Sequence, residues 1–194
     1  MGDLQGPKLR VGLVEENTIL IKNEIITIQH GESISNKRNL FVNYSNLHQD
    51  VRIDEKILLD DGKLVLRINS VENEKITCSV IQGGILKSKK GVNLPNTNVS
   101  LPIITNKDYE DLLFCVNHNV EWIALSFVRT AKDVLGVKEI LKNKNAACRV
   151  IAKIEKPEAI KNLNKIILHA DALMVARGDL GVEMPTQKVP VLQK

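Results

Sequence analysis

Two stretches decide the fold: Arg149-Val150-Ile151-Ala152-Lys153-Ile154-Glu155-Lys156-Pro157 and, one helical pattern later, Asp171-Ala172-Leu173-Met174-Val175-Ala176-Arg177-Gly178-Asp179. Each is an apolar run of strand length that ends in charged residues. Pro157 suits the first turn of a helix, where a missing N–H costs nothing, and Ile160, Leu163 and Ile167 follow on one face of that helix. Working backwards, Thr130 caps a helix carrying Val134, Val137 and Leu141, with Gly136 as a weak point, and Trp122 to Phe127 reads as a strand. Before it, Thr105-Asn106-Lys107-Asp108 has the form of a capping box ahead of Tyr109, Leu112, Leu113 and Val116. Each βα unit takes about 25 residues, enough for the right-handed crossovers that build a parallel sheet or barrel.

The first half has another texture. Arg10 to Glu15, Thr18 to Ile21, Glu24 to Ile28, Leu40 to Tyr44, Lys56 to Asp60, Lys63 to Asn69 and Lys75 to Gln82 read as short strands separated by polar turns. Asp61-Gly62 supplies the positive-φ residues of a tight hairpin. With no helix expected among them, these strands predict a small β-barrel or sandwich. The tract Gly83 to Gly91, with Lys87, Lys89 and Lys90, reads as a junction between the halves: a solvated linker, or lysines reaching phosphates as point charges.

The chain has 194 residues, 43% of them hydrophobic and 26% charged, with 11 Gly and 6 Pro, so it is neither collagen-like nor of low complexity. It contains no apolar run of about 18 residues and no secretory leader pattern, which points to a cytoplasmic protein. A net charge of +4 with only six aromatic residues argues against a single-strand nucleic-acid platform; so weak a basic excess more often serves solubility, with an anionic small ligand as the alternative. Cys78, Cys115 and Cys148 are odd in number and set among apolar residues, which predicts buried free thiols.

Barrel chemistry sits where strands give way to helices. These junctions read Ser126-Phe127-Val128-Arg129, Lys153-Ile154-Glu155-Lys156 and Ala176-Arg177-Gly178-Asp179-Leu180-Gly181. Strand alternation puts Lys153 and Glu155 on one face. Glu155 and Asp179 lie one βα unit apart, on neighbouring strand ends about 4.8 Å apart, so together they can hold a hard divalent cation such as Mg2+. Lys153 beside them suits stabilisation of an enolate or a transferring phosphoryl group. A solvated Lys153–Glu155 pair and a capping Asp179 explain the same residues without a site. The Gly178 to Gly181 turn offers backbone N–H groups to a carboxylate or phosphate, or is a tight turn with glycines at positive φ.

Five stretches in order resemble the pyruvate kinase family: Asp3-Leu4-Gln5-Gly6-Pro7-Lys8-Leu9-Arg10, Lys87 to Pro95, Leu125 to Arg129, Ala152 to Glu155, and Met174 to Glu183. The resemblance covers essentially the whole chain. It implies an α/β plus all-β fold, a partial TIM-type (β/α) barrel with an inserted small β-barrel domain. Residues 1–8 would be a remnant of barrel strand 3, 9–95 the inserted B domain and 96–194 barrel strands of about four to six. It also implies phosphoryl transfer from phosphoenolpyruvate to ADP, giving pyruvate and ATP in cytoplasmic glycolysis, by a parent that is a homotetramer needing no nucleic acid or membrane.

Carried over by position, Glu155 and Asp179 resemble the Mg2+ or Mn2+ ligands, and Lys153 the lysine that stabilises phosphoryl group and enolate, with Arg177 also catalytic. Ser126, Phe127, Ala176, Gly178 and Asp179 resemble the substrate-binding wall, and Arg10, Lys89 and Lys90 the nucleotide contacts. Asp3 matches the monovalent-cation carboxylate, with the Leu4 carbonyl as second ligand. Lys8 stands where the family has Glu or Lys; Glu accompanies potassium dependence, so Lys8 implies independence of K+. The Arg-x-Asn-Phe-Ser-His-Gly segment, a Thr-bearing strand, the last barrel strands and the C-terminal domain of the family have no counterpart here. The chain alone is therefore expected to be inactive and to associate. Two other readings are a metal-dependent aldolase or lyase of the phosphoenolpyruvate/pyruvate barrel group, and a non-catalytic relic whose β domain binds.

Overall fold

The computed structural model describes all residues from Met1 to Lys194. The chain opens with β1 (Gly2–Leu4) and then enters a β-rich unit, Lys8–Ser100. That unit holds β2 (Ile19–Leu20), β3 (Ile25–His30), β4 (Asn39–Val42), α1 (Leu47–Asp50), β5 (Lys56–Leu59), β6 (Leu64–Glu72), β7 (Lys75–Gln82), β8 (Gly84–Ile85) and β9 (Val92–Asn93). From Leu101 the chain rejoins the unit that β1 began. There it adds α2 (Asn106–Asn117), β10 (Trp122–Leu125), α3 (Ala131–Asn143), β11 (Arg149–Ile154), α4 (Pro157–Lys161), α5 (Leu163–His169), β12 (Ala172–Val175), α6 (Arg177–Glu183) and α7 (Val189–Gln193).

In the β-rich unit a six-stranded sheet runs β4-β3-β7-β6-β5-β9, antiparallel throughout except for β3 against β4. Period-two alternation drives it: Ile26, Ile28, Ile76, Cys78 and Val80 point inward and are buried, while Thr27, Thr77 and Ser79 are not. The two sheet edges are closed by one segment. Val11 bridges Val42 of β4, Arg10 bridges Gly91, and the Val92 N–H donates to the Leu9 carbonyl at 3.0 Å. Closure leaves neither edge open to pairing with another chain. The hairpin between β5 and β6 has left-handed φ at Asp60, Asp61 and Gly62, of 49°, 56° and 82°.

Three expectations for this half are corrected. Arg10 to Glu15 is not a strand, because its residues bridge three separate partners, Gly91, Val42 and Ser35, and no ladder forms. A helix is present, the single turn α1, which buries Leu47. Gly83 to Gly91 is not a linker: the Leu86 N–H donates to Thr18, the Lys89 N–H to Gly12 at 3.0 Å, and Ser88 Oγ accepts from the Val14 N–H at 2.9 Å.

The other unit is α/β, part of a TIM-type barrel. Its parallel sheet runs β1-β10-β11-β12, with Leu4 opposite Leu125, Leu125 opposite Ala152 and Ala152 opposite Leu173. In β11, Val150, Ala152 and Ile154 are buried in a core with Leu125, Val134, Val137, Leu141 and Ile166, so Lys153 falls on the other face. The helix expected after Pro157 is two helices, broken at Asn162 (φ −105°, ψ 10°). The break shifts the inward face by one residue, so Ile166 is buried and Ile167 is exposed. Of the cysteines only Cys78 is buried; Cys115 and Cys148 are half-buried. No helix is long and apolar enough to cross a membrane.

One buried carboxylate braces the exit of β1. Asp108, fully enclosed, accepts the Gly6 N–H at 2.9 Å through Oδ1 and the Thr105 N–H at 3.0 Å through Oδ2, so a helix cap and a distant turn share one side chain. Gly6 has φ +70°, and a Cβ there would lie 2.8 Å from Cδ2 of Phe127. Asp108→Ala would strand the buried Gly6 N–H, and Gly6→Ala would force a side chain into a left-handed, occupied position. Each is expected to lower unfolding stability by about 1–3 kcal/mol, read as a fall in the urea midpoint; a midpoint equal to wild type would contradict the brace.

Candidate active site

Parallel strands in register deliver their following residues to one end of the sheet. Here β1 delivers Leu4, β10 delivers Ser126 and Phe127, and β11 delivers Lys153 and Glu155. The Lys153 ammonium is the hub. It lies 3.1 Å from Glu155 Oε1, 3.1 and 3.3 Å from the two oxygens of Asp3, and 2.9 Å from Ser126 Oγ. The Ser126 hydroxyl in turn donates to the Leu4 carbonyl at 2.7 Å, which ties β10 to β1. The second oxygen of Glu155, Oε2, accepts the Phe127 N–H at 2.9 Å.

Phe127 makes that bond from a left-handed conformation, φ 56°, which costs a non-glycine residue roughly 1–2 kcal/mol. Held strain of this kind is sustained only by its surroundings. Here the clamp is Glu155, whose side chain is 2% exposed. The Lys153–Glu155 pair is therefore not a solvated surface pair: Lys153 is 14% exposed, and only Asp3, at 55%, reaches open solvent.

Burial shapes the titration of both groups. It raises the Glu155 pKa, and the charge of Asp179 adds to this, against the lowering effects of the Phe127 N–H and Lys153. Burial pulls the Lys153 pKa down, but Glu155 and Asp3 outweigh it, so the ammonium titrates above its ordinary value.

Asp179 approaches from the neighbouring strand. β12 ends at Val175, and the Ala176 N–H donates back to the Ile154 carbonyl at 3.3 Å. Helix α6 then starts at Arg177, leaving Arg177, Gly178 and Asp179 exposed in its first turn. Gly178 and Gly181 are not at positive φ, which removes the tight-turn explanation for them, and a Cβ on Gly178 would meet nothing within 4 Å. Space for a close approach to this backbone is left open.

No group of three or more His, Cys, Asp or Glu side chains is assembled as a metal site. Glu155 and Asp179 are a pair, and two carboxylates are what Mg2+ commonly takes from a protein, waters and substrate oxygens completing its octahedron. The fit is electrostatic: burial first, and the charge of Asp179 after it, make Glu155 harder to ionise, and a divalent cation at its carboxylate would offset both effects.

Arg10, Lys89 and Lys90 belong to the β-rich unit. Arg10 Nη1 donates to the Lys89 carbonyl at 2.9 Å, and Lys90 pairs with Asp60 at 2.9 Å, holding that carboxyl below its ordinary pKa. Lys89 is exposed on a left-handed backbone, φ 60°.

All of residues 1–194 match the family model described as "Pyruvate kinase, barrel domain". The chain belongs to the pyruvate kinase family. It is 43% identical over its whole length to a pyruvate kinase of Mycobacterium tuberculosis, of which it covers 41%. It is 43% identical over 99% of its length to one of Geobacillus stearothermophilus, covering 33% of that protein, and 40% identical to one of Thermococcus litoralis, covering 41%. The chain thus spans well under half the length of these pyruvate kinases.

Neither the motif match nor strand alternation pairs Asp3 with the Lys153 ammonium. Strand alternation pairs Lys153 with Glu155, but the reach from β11 across β10 to β1 appears only with the sheet order. Phe127 is legible as a wall residue but not as left-handed, and the capping-box pattern marks Asp108 as a cap with no sign of its second partner.

The raised Glu155 pKa has a signed consequence. A carboxyl harder to ionise when folded favours the folded state most at low pH, and that contribution is lost as pH rises from the ordinary value of 4.5 through the raised folded value. Glu155→Gln, which never ionises, should therefore gain stability relative to wild type as pH rises from about 4.5 towards neutrality, read from paired urea titrations. A constant difference across that range would contradict the burial argument.

Proposed function

We propose that this chain forms the phosphoryl-transfer site of a pyruvate kinase, acting on phosphoenolpyruvate and ADP to give pyruvate and ATP in cytoplasmic glycolysis. The observation that carries the reading is the Lys153 ammonium fixed among Glu155, Asp3 and Ser126 at the strand ends, with Glu155 also within the field of the Asp179 charge.

Glu155 and Asp179 would hold Mg2+ or Mn2+, with the first turn of α6 positioning the substrate carboxylate. When bound, the cation supplies positive charge to the phosphoryl and enolate oxygens. Lys153 supplies a second, fixed positive charge whose geometry is set before substrate arrives, so little reorganisation is needed in the transition state. Its exposed partner Asp3 is the contact most easily exchanged for an anionic substrate oxygen. Ser126 keeps the ammonium anchored during that exchange, and Phe127 with Ser126 forms the wall that limits water. Arg177 lies in the turn that would face the substrate. Arg10, Lys89 and Lys90 are proposed to reach the nucleotide phosphates. Asp3 and the Leu4 carbonyl would be the monovalent-cation ligands of the family, and Lys8 is the basis for proposing activity without K+.

The test is binding and turnover together. Mn2+ should bind the chain, promote phosphoenolpyruvate binding in calorimetry, and lose affinity at least tenfold in Glu155→Gln. In an active pyruvate kinase carrying these residues, Lys153→Met should cut kcat by roughly 10²–10³, and exchanging Na+ for K+ should change turnover by less than about twofold while Lys8 is present. The four-stranded sheet has unpaired edges at β1 and β12, so the 194-residue chain by itself should show no pyruvate formation in a coupled lactate dehydrogenase assay. Mn2+ binding indifferent to Glu155→Gln would contradict the assignment. An aldolase or lyase would instead cleave a carbon–carbon bond with the same residues and leave ADP unused.

A further inference from the structure

We infer that the Lys156–Glu183 ion pair is a positioning contact that fixes α6, and with it Asp179, against Glu155. The inference rests on the proposed reading of Glu155 and Asp179 as a cation-binding pair.

Lys156 follows Glu155 directly and is the residue before the first turn of α4; Glu183 is the last residue of α6. Their charged atoms are 2.6 Å apart, with the side chains only 14% and 1% exposed. Such a pair is hydrogen-bonded and shielded from water, so it has one geometry rather than many.

Its place in the chain gives it a function. Helix α6 has seven residues and is about 10 Å long, far short of the length at which a helix persists without tertiary support. It is tied to the end of β11 twice. At its start, the Ala176 N–H donates to the carbonyl of Ile154, the residue before Glu155. At its end, Glu183 binds Lys156, the residue after Glu155. Asp179 lies between the two ties, and Glu155 lies between their two anchors. Buried Leu180 packs the helix, but apolar contact is non-directional and leaves rotation about the first tie open. The ion pair closes that freedom and sets how far the Asp179 carboxylate stands from Glu155.

The experiment reads Mn2+ affinity by electron paramagnetic resonance of the free ion, together with thermal unfolding, in wild type and five variants. Lys156→Met should weaken Mn2+ binding at least tenfold, and Lys156→Arg should stay within twofold of wild type. Lys138→Met breaks another ion pair of the same unit, Lys138–Asp171 at 2.7 Å; it should lower the melting temperature yet leave Mn2+ affinity within twofold. Should Lys156→Met fail to fold, Glu183→Gln keeps the shape of the pair and removes one charge, and a loss of severalfold is expected. Wild-type affinity in a folded Lys156→Met or Glu183→Gln protein overturns the inference, as does an equal loss in Lys138→Met. Glu155→Gln separates the two levels. If it leaves Mn2+ binding intact, the cation reading itself fails and this inference with it; if it abolishes binding while Lys156→Met does not, only the positioning claim fails.

Discussion

The α/β unit depends on one charge placed where three strands end. A lysine removed from water requires compensation on every side, and Lys153 receives it from Glu155, Asp3 and Ser126. These partners come from β11 and from the ends of β1 and β10, so the site assembles only if those strands are parallel, adjacent and in register. The left-handed Phe127, the Ser126 bond to Leu4 and the burial of Glu155 all follow from satisfying that group and its counter-ion. In β11 the same strand that builds the core with Val150, Ala152 and Ile154 presents Lys153 to the opposite face, so core and site are coupled by period-two geometry.

Much of this is legible in the chain itself. Capping at Thr105 with Asp108, proline at the start of α4, and apolar runs of strand length locate β10, β11, β12 and their helices, because those signals are local. Lys153 and Glu155 are legible as a same-face pair for the same reason. What fails is set by tertiary contact. Ile167 has the right spacing for the inner face, but Asn162 interrupts the helix and hands the position to Ile166. Arg10 to Glu15 has strand composition, yet it serves as a seam, bonding to both edges of a closing sheet instead of lengthening one ladder. The basic tract up to Gly91 looks like a linker by charge, while its backbone N–H groups are spent inside the β-rich unit.

Long-range ion pairs form a second class that pattern reading does not reach. Asp3 and Lys153 are 150 residues apart, and Lys156 and Glu183 are joined only because α6 folds back on the end of β11. Spacing rules describe faces of single elements; these pairs express the order of strands and the direction of returning helices. They are also where the α/β unit commits buried charge, which is costly unless geometry is exact enough to repay desolvation. They concentrate at the end of β11, on either side of Glu155.

The central claim is that Glu155 and Asp179 together hold a divalent cation beside Lys153. Anomalous diffraction from crystals grown with Mn2+ tests it most directly. The predicted result is a single strong manganese peak within coordination distance of carboxylate oxygens of both residues, with Lys153 still bonded to Ser126. A peak bound elsewhere, or none at these carboxylates at millimolar Mn2+, would contradict it.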